Sequence, residues 1–208
     1  MSTFKVTFAG GAQMPTGSNF LVEFGGKKIL IDCGLVQGEK YSIPINSEPF
    51  VYDPSSIDAL FVTHAHLDHV GRIPRLVHDG FKGKILSTEP TREMAELIML
   101  DSMGVLAKES KFNNQPLLYE EKDVYDAVRL WDTTVEYEKP YIFATHDGDA
   151  TITAHDAGHI LGSCIWEIEY KGKKLAFTGD LGNTPSPLMR DTTLLHDIDY
   201  LVTESVYG

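Results

Sequence analysis

Apolar and polar positions alternate with a period of two through the first third of the chain. In Phe4–Ala9 the residues Phe4, Val6 and Phe8 share one face, and Gly10-Gly11 closes the run. Asn19–Phe24 and Ile29–Asp32 read as two further strands, with the hairpin signal Gly25-Gly26-Lys27-Lys28 between them. Residues 36–57 read as loop, because Pro44, Pro49 and Pro54 interrupt any regular pattern. Ala59–Thr63 is an apolar strand, His69–His78 a short helix and Ile85–Ser87 a strand. From Thr91 to about Lys108 the spacing turns helical through Met94, Leu97, Ile98 and Val105, with Pro90 just before the start. A second helix covers Glu120–Leu130, with Val124, Ala127, Val128 and Trp131 on one face. Strands return at Ala150–Ala154, Cys164–Tyr170, Lys174–Thr178 and Ile198–Thr203, and Lys171-Gly172-Lys173 is a hairpin turn. No repeat or linker interrupts this. Blocks of strands with helices between them predict an α/β (α+β) fold, sheets covered by helices.

Composition narrows this only a little. The chain has 208 residues, 42% of them apolar and 23% charged, which excludes a disordered tail or a low-complexity array. That length supports one sizeable core, so residues 1–208 are read as one domain. The net charge of −12 argues against a surface that grips phosphates through Lys and Arg alone; a metal, or sequence outside the chain, would have to supply the positive charge. Two cysteines, Cys33 and Cys164, exclude a disulfide scaffold and read as small buried apolar residues. No apolar segment follows Met1 as in a signal peptide, and no run approaches the ~20 residues of a membrane helix, so a reducing cytoplasm is the expected setting, with no membrane partner.

The chemistry concentrates at Thr63-His64-Ala65-His66-Leu67-Asp68-His69, directly after the apolar strand. Three imidazoles and a carboxylate fall within six residues, the ligand types that borderline divalent metals prefer. In extended chain His64 and His66 lie on the same side and can grip one ion. Asp68 and His69 follow the turn and suit a second ion nearby, and two ions roughly 3.5–4 Å apart clamp a hydrolytic displacement. Two further loops fit: Ala157-Gly158-His159-Ile160-Leu161-Gly162-Ser163 offers His159, and Phe177-Thr178-Gly179-Asp180-Leu181-Gly182 offers Asp180, whose carboxylate could bridge both ions. Each follows a strand, as the 64–69 cluster does, and ligands from different strands meet at one sheet edge.

Taken together, Asp32 in Ile31-Asp32-Cys33-Gly34, the set His64, His66, Asp68 and His69, then His159 and Asp180 resemble the metallo-β-lactamase superfamily. The resemblance implies an αββα sandwich with two metals at one edge of its paired sheets. Leu201-Val202-Thr203-Glu204-Ser205-Val206-Tyr207-Gly208 resembles motif A of the β-CASP group, and Glu89-Pro90-Thr91-Arg92 also looks like that group. The nearest branch is the cleavage and polyadenylation specificity factor endonucleases and their bacterial and archaeal relatives, which implies zinc-dependent cleavage of RNA phosphodiesters. In that group motif A opens a β-CASP domain, two histidine motifs follow, and the chain then returns to finish the sandwich. The sequence ending at Gly208 is therefore expected to be the N-terminal part of a longer or split protein, with the sandwich incomplete at its C-terminal end. Its expected partners are single-stranded RNA and the missing portion or a complementary chain, with homo-oligomerisation left open.

The expected mechanism is two-metal hydrolysis. His64, His66 and His159 hold the first zinc, while Asp68, His69 and Asp180 hold the second, which awaits a downstream histidine. Asp68 orients the nucleophile, and by resemblance Glu204 orients a later histidine that protonates the leaving oxygen. Asp32 fixes the tautomer of a ligand histidine. With its second site open, this chain by itself is expected to hold at most one metal tightly and to be weakly active or inactive. His196 begins a strand rather than ending one, so it falls at the opposite edge, roughly 20 Å away. His78, His146 and His155 show no ligand pattern. Two other readings stand beside this one: a hydrolase of small esters, lactones or thioesters, which has no use for Glu204-Ser205-Val206-Tyr207, and a non-catalytic scaffold of an RNA-processing complex.

Overall fold

A computed structural model describes residues 3–38 and 42–206. Among them, six strands form one sheet and five form another. The first sheet begins with the meander β1 (Lys5–Gly10), β2 (Asn19–Phe24) and β3 (Lys27–Ile31), paired antiparallel. It continues in parallel through β4 (Ala59–Phe61), β5 (Lys84–Ser87) and the two-residue β6 (Thr133–Thr134). Helices fill each parallel crossover of this sheet, where parallel pairing needs a long connection: α1 (Ser42–Ser47) after β3, α2 (Leu67–Val70) and α3 (Ile73–His78) after β4, α4 (Glu89–Asn113) and α5 (Glu121–Leu130) after β5. The second sheet runs β7 (Tyr141–Thr145), β8 (Gly148–Asp156), β9 (Cys164–Tyr170) and β10 (Lys173–Phe177) antiparallel, with β11 (Tyr200–Val202) parallel to β10.

Alternation along the strands explains the layering. Val22, Phe24, Ile29, Ile31 and Phe61 point from the first sheet into one core with Ile152, Ala154, Trp166, Ile168 and Phe177 of the second. The opposite face of the first sheet, through Leu21, Leu30, Leu60 and Ile85, packs on Ile73, Leu76, Met99, Val124 and Trp131 of the helices. The outer face of the second sheet is covered by irregular chain, with Leu181, Leu195 and Ile198 against Ala157, Ile165 and Ala176.

Several sequence expectations change here. Residues 36–57 contain α1 and a 3-10 turn at Pro54–Ser56; Pro44 falls in the first turn of α1, where a missing N–H costs nothing, and Asn46 anchors the helix by bonding both N and O of Val36. The single helix expected at His69–His78 is two, because Pro74 cannot donate to the Val70 carbonyl. Pro90 lies inside the first turn of α4 rather than before it. β6 and β7 were not foreseen, although Tyr141–Thr145 alternates in burial as a strand should. Among the described residues no helix is long and apolar enough to cross a membrane. Tyr207 and Gly208 of the motif A segment lie outside the described residues.

Candidate metal centre

The C-terminal ends of β3, β4, β8, β10 and β11 open onto one edge of the sandwich, and every site residue comes from them. Asp32 follows β3, the 64–69 cluster follows β4, His159 follows β8, Asp180 follows β10 and Glu204 follows β11. The sheets thus gather residues far apart in sequence by exploiting strand direction alone.

Among the described residues, His64, His66, His159 and Asp180 offer ligand atoms that all lie within 4.8 Å of one another. His66 Nδ1 is 3.0 Å from His64 Nε2 and 3.2 Å from His159 Nε2. Asp180 Oδ2 lies 3.6 Å from both of those Nε2 atoms. The other oxygen, Oδ1, is 3.3 Å from His69 Nε2, which stands 3.8 Å from Asp68 Oδ2. One carboxylate therefore joins the three-histidine group to the Asp68–His69 pair. Imidazole nitrogens and carboxylate oxygens converging in this way fit a borderline divalent ion such as zinc.

Asp32 organises both groups from below. It is 1% exposed. Its carboxylate accepts from Thr63 N at 2.8 Å, from Ser18 Oγ at 3.1 Å and from Thr63 Oγ1 at 2.9 Å. His69 Nδ1 lies 2.7 Å from Asp32 Oδ2, and a carboxylate there can only accept, so a proton sits on Nδ1 and Nε2 is the nitrogen turned toward Asp180, where a cation would take the place of its proton. Thr63 gives its own proton to Asp32, so its oxygen accepts from His64 Nδ1 at 3.1 Å. The same carboxylate thus sets the tautomer of His69 directly and of His64 through Thr63. Thr63 and Ser18 were not singled out from the sequence; a hydroxyl next to a ligand histidine carries no periodic signal.

Electrostatics follow from this crowding. Burial, reinforced by His69, His66 and His159, keeps His64 well below the ordinary histidine range, so its ring stays neutral and could offer a nitrogen to a cation. His66 is lowered for the same reasons, burial first and His159 next. Burial also opposes a charge on His69, yet Asp32 and Asp180 carry it up to about 10. Burial works to raise Asp180, but the bond and charge of His69, with His159 and His66, hold it below the usual carboxylate range. Asp68 goes the other way: burial raises it against the pull of His69.

The remaining residues fall where their environments dictate. Among the described residues Glu204 meets backbone amides: its Oε1 accepts from Leu181 N at 2.7 Å and its Oε2 from Val206 N at 3.4 Å. It braces the turn that carries Asp180. Gly182, two residues beyond Asp180, packs so closely on the His159 loop that a Cβ there would stand 1.8 Å from Gly158 O. His196 is exposed ahead of β11, at the opposite edge. His78 pairs with Asp123 at 3.4 Å, and His155 with Glu138 at 2.8 Å.

Residues 21–204 match the description of a metallo-beta-lactamase superfamily domain. The chain is 33% identical over 199 residues to a ribonuclease of Thermus thermophilus, covering 96% of this chain and 43% of that protein. It is 31% identical over 203 residues to the cleavage and polyadenylation specificity factor 73 of Drosophila melanogaster, covering 96% of this chain and 28% of that protein. The chain thus spans less than half the length of these relatives. The crystal structure of the metallo-beta-lactamase fold protein YhfI from Bacillus subtilis superposes with a TM-score of 0.51 at 17% identity, over 86% of this chain and 63% of that one, which shows likeness of fold.

Proposed function

This chain belongs to the metallo-beta-lactamase superfamily, and from that premise we propose that the protein hydrolyses RNA phosphodiester bonds with bound zinc, as a nuclease of the β-CASP type. The observation that carries the reading is the convergence of His64, His66, His159 and Asp180 within 4.8 Å, with Asp180 reaching on to His69. Divalent ions held there supply Lewis acidity and positive charge for a transferring phosphate. RNA as the substrate is supported by the names of the relatives, a ribonuclease and a cleavage and polyadenylation factor.

The chain's own residues have distinct tasks. His64, His66 and His159 bind, each presenting a bare nitrogen. Asp180 ties the two groups together and compensates part of their positive charge. Asp68, half-buried and 3.8 Å from His69 Nε2, orients the attacking water. Asp32 fixes the ligand rings and does not touch the substrate. Glu204 holds the Asp180 turn through the Leu181 amide. The −12 net charge is compatible with a polyanionic substrate because cations are gathered where phosphate docks.

The test pairs substrates with a variant. The full-length protein that carries this chain is assayed against an RNA oligonucleotide, bis-p-nitrophenyl phosphate, a lactone and a thioester, with and without chelator. Chelator-sensitive turnover of the phosphodiesters, lowered about 10²–10⁴-fold by Asp68→Asn, is expected. Turnover confined to the lactone or thioester overturns the nuclease reading. Metal binding with no turnover of any substrate points instead to a scaffold.

A further inference from the structure

The loop that carries His159 is held from two sides. On its inner side Ser163 Oγ accepts from His159 N at 3.1 Å and from Ile160 N at 3.2 Å, and Tyr137 Oη donates to Ser163 O at 2.9 Å. On its outer side the Gly162 carbonyl faces the start of α4. Thr91 Oγ1 lies 2.8 Å from that oxygen and Thr88 Oγ1 2.6 Å from it, the two hydroxyls being 3.0 Å apart. Both threonines are buried, at 2% and 0% exposure for Thr88 and Thr91.

Thr88 occupies the N-cap of α4 with extended backbone angles, yet its hydroxyl caps none of the backbone N–H groups of that helix. A threonine there ordinarily caps the free N–H groups of the first turn. Here the side chain is spent across the gap, on a carbonyl belonging to another layer. The approach is tight: a Cβ on Gly162, whose φ is +86°, would stand 2.7 Å from Thr91 N and Oγ1. A carbonyl oxygen has two lone pairs, and this one finds both donors in α4.

We propose that Thr88 and Thr91 are positioning residues for His159, fixing its ring against His66 and Asp180 by clipping the Gly162 carbonyl to the start of α4. The inference rests on the metal-centre reading of His64, His66, His159 and Asp180. His159 Nε2 must come to 3.2 Å from His66 Nδ1 and 3.6 Å from Asp180 Oδ2. Ligand constellations tolerate only about half an ångström of misplacement. Within the loop, Asp156 Oδ1 accepts from Gly158 N at 2.9 Å, and the clip at Gly162 ties the far end of the same loop to α4.

Co²⁺ titration of the whole chain, followed by visible absorption, tests it. Thr88→Val/Thr91→Val keeps shape and removes both hydroxyls; it is expected to weaken Co²⁺ binding about 10–100-fold and to shift the absorption bands. Thr88→Ser/Thr91→Ser keeps the hydroxyls and is expected to bind near the wild-type affinity. In a His159→Ala background the valine pair should cost nothing further, a result that a merely structural role would not give. The proposal is overturned if the valine variant binds Co²⁺ as tightly as wild type, if the serine variant fails equally, or if the loss is the same without His159. Should the double valine variant not fold, Thr91→Val and Thr91→Ser carry the same comparison. Wild-type protein that binds no Co²⁺ refutes the metal-centre reading beneath the proposal instead.

Discussion

Asp32 sits at a φ of +57°, in the left-handed region where Asn and Asp are among the few residues at ease. Its value lies in being an acceptor on every side, for Thr63, Ser18 and His69. Asp32→Asn keeps the shape and the backbone angles but replaces one acceptor oxygen with a donor, which cannot face His69 Nδ1–H. Metal affinity, measured by competition with a chromogenic chelator, is expected to fall about 10–100-fold. Glu204 acts on backbone rather than on a ring. Removing it in Glu204→Ala frees the Leu181 amide next to Asp180, and urea unfolding is expected to show a loss of about 1 kcal/mol, with Glu204→Gln, which retains an acceptor, losing less.

At the scale of elements, the site is an agreement among loops. β4 delivers the 64–69 cluster, β8 the His159 loop and β10 the Asp180 turn, and the last two touch at Gly182. Gly182→Ala drives a methyl into the Gly158 carbonyl, 1.8 Å away. It is expected to cost at least about 1–3 kcal/mol in urea unfolding and to weaken metal binding at once, since both ligand loops must move. The elements themselves were legible in the sequence where period and punctuation agreed. Asn19–Phe24 and Cys164–Tyr170 fall where the alternation placed them. Where punctuation misled, proline was the cause: Pro44 sits in a first turn, where it permits a helix instead of preventing one, and Pro90, read correctly as a start signal, lies one residue inside α4 rather than before it.

For the whole molecule, the core between the sheets supplies the stability on which the edge depends. Phe61 meets Trp166 at 5.1 Å and Phe143 at 6.1 Å between ring centres. Phe61→Ala is expected to cost about 3–5 kcal/mol. Phe112→Ser, at a position 89% exposed, should change stability by no more than about 0.5 kcal/mol; the same urea titration reads both. Metal bound at the proposed centre would add to this by mass action. At a free metal concentration about 1,000 times the Kd, removing the ion with chelator is expected to lower the melting temperature by roughly 10 °C.

The sequence by itself brought out the candidate donors. His64, His66, Asp68, His69, His159 and Asp180 stand out because ligand chemistry selects residue types, and those types follow strand ends that the hydrophobic period reveals. It also determined that one family's motifs run through the chain, because those motifs are local in sequence. What only the tertiary structure decided was how the donors are held. That Asp180 spans both groups, that Asp32 sets two tautomers through one carboxylate, that Glu204 grips a backbone amide and that Thr88 and Thr91 reach across to Gly162 are all contacts between segments far apart in the chain. A hydroxyl or a carboxylate can serve many partners within reach, and which one it serves is fixed by the packing of layers, not by its neighbours in sequence.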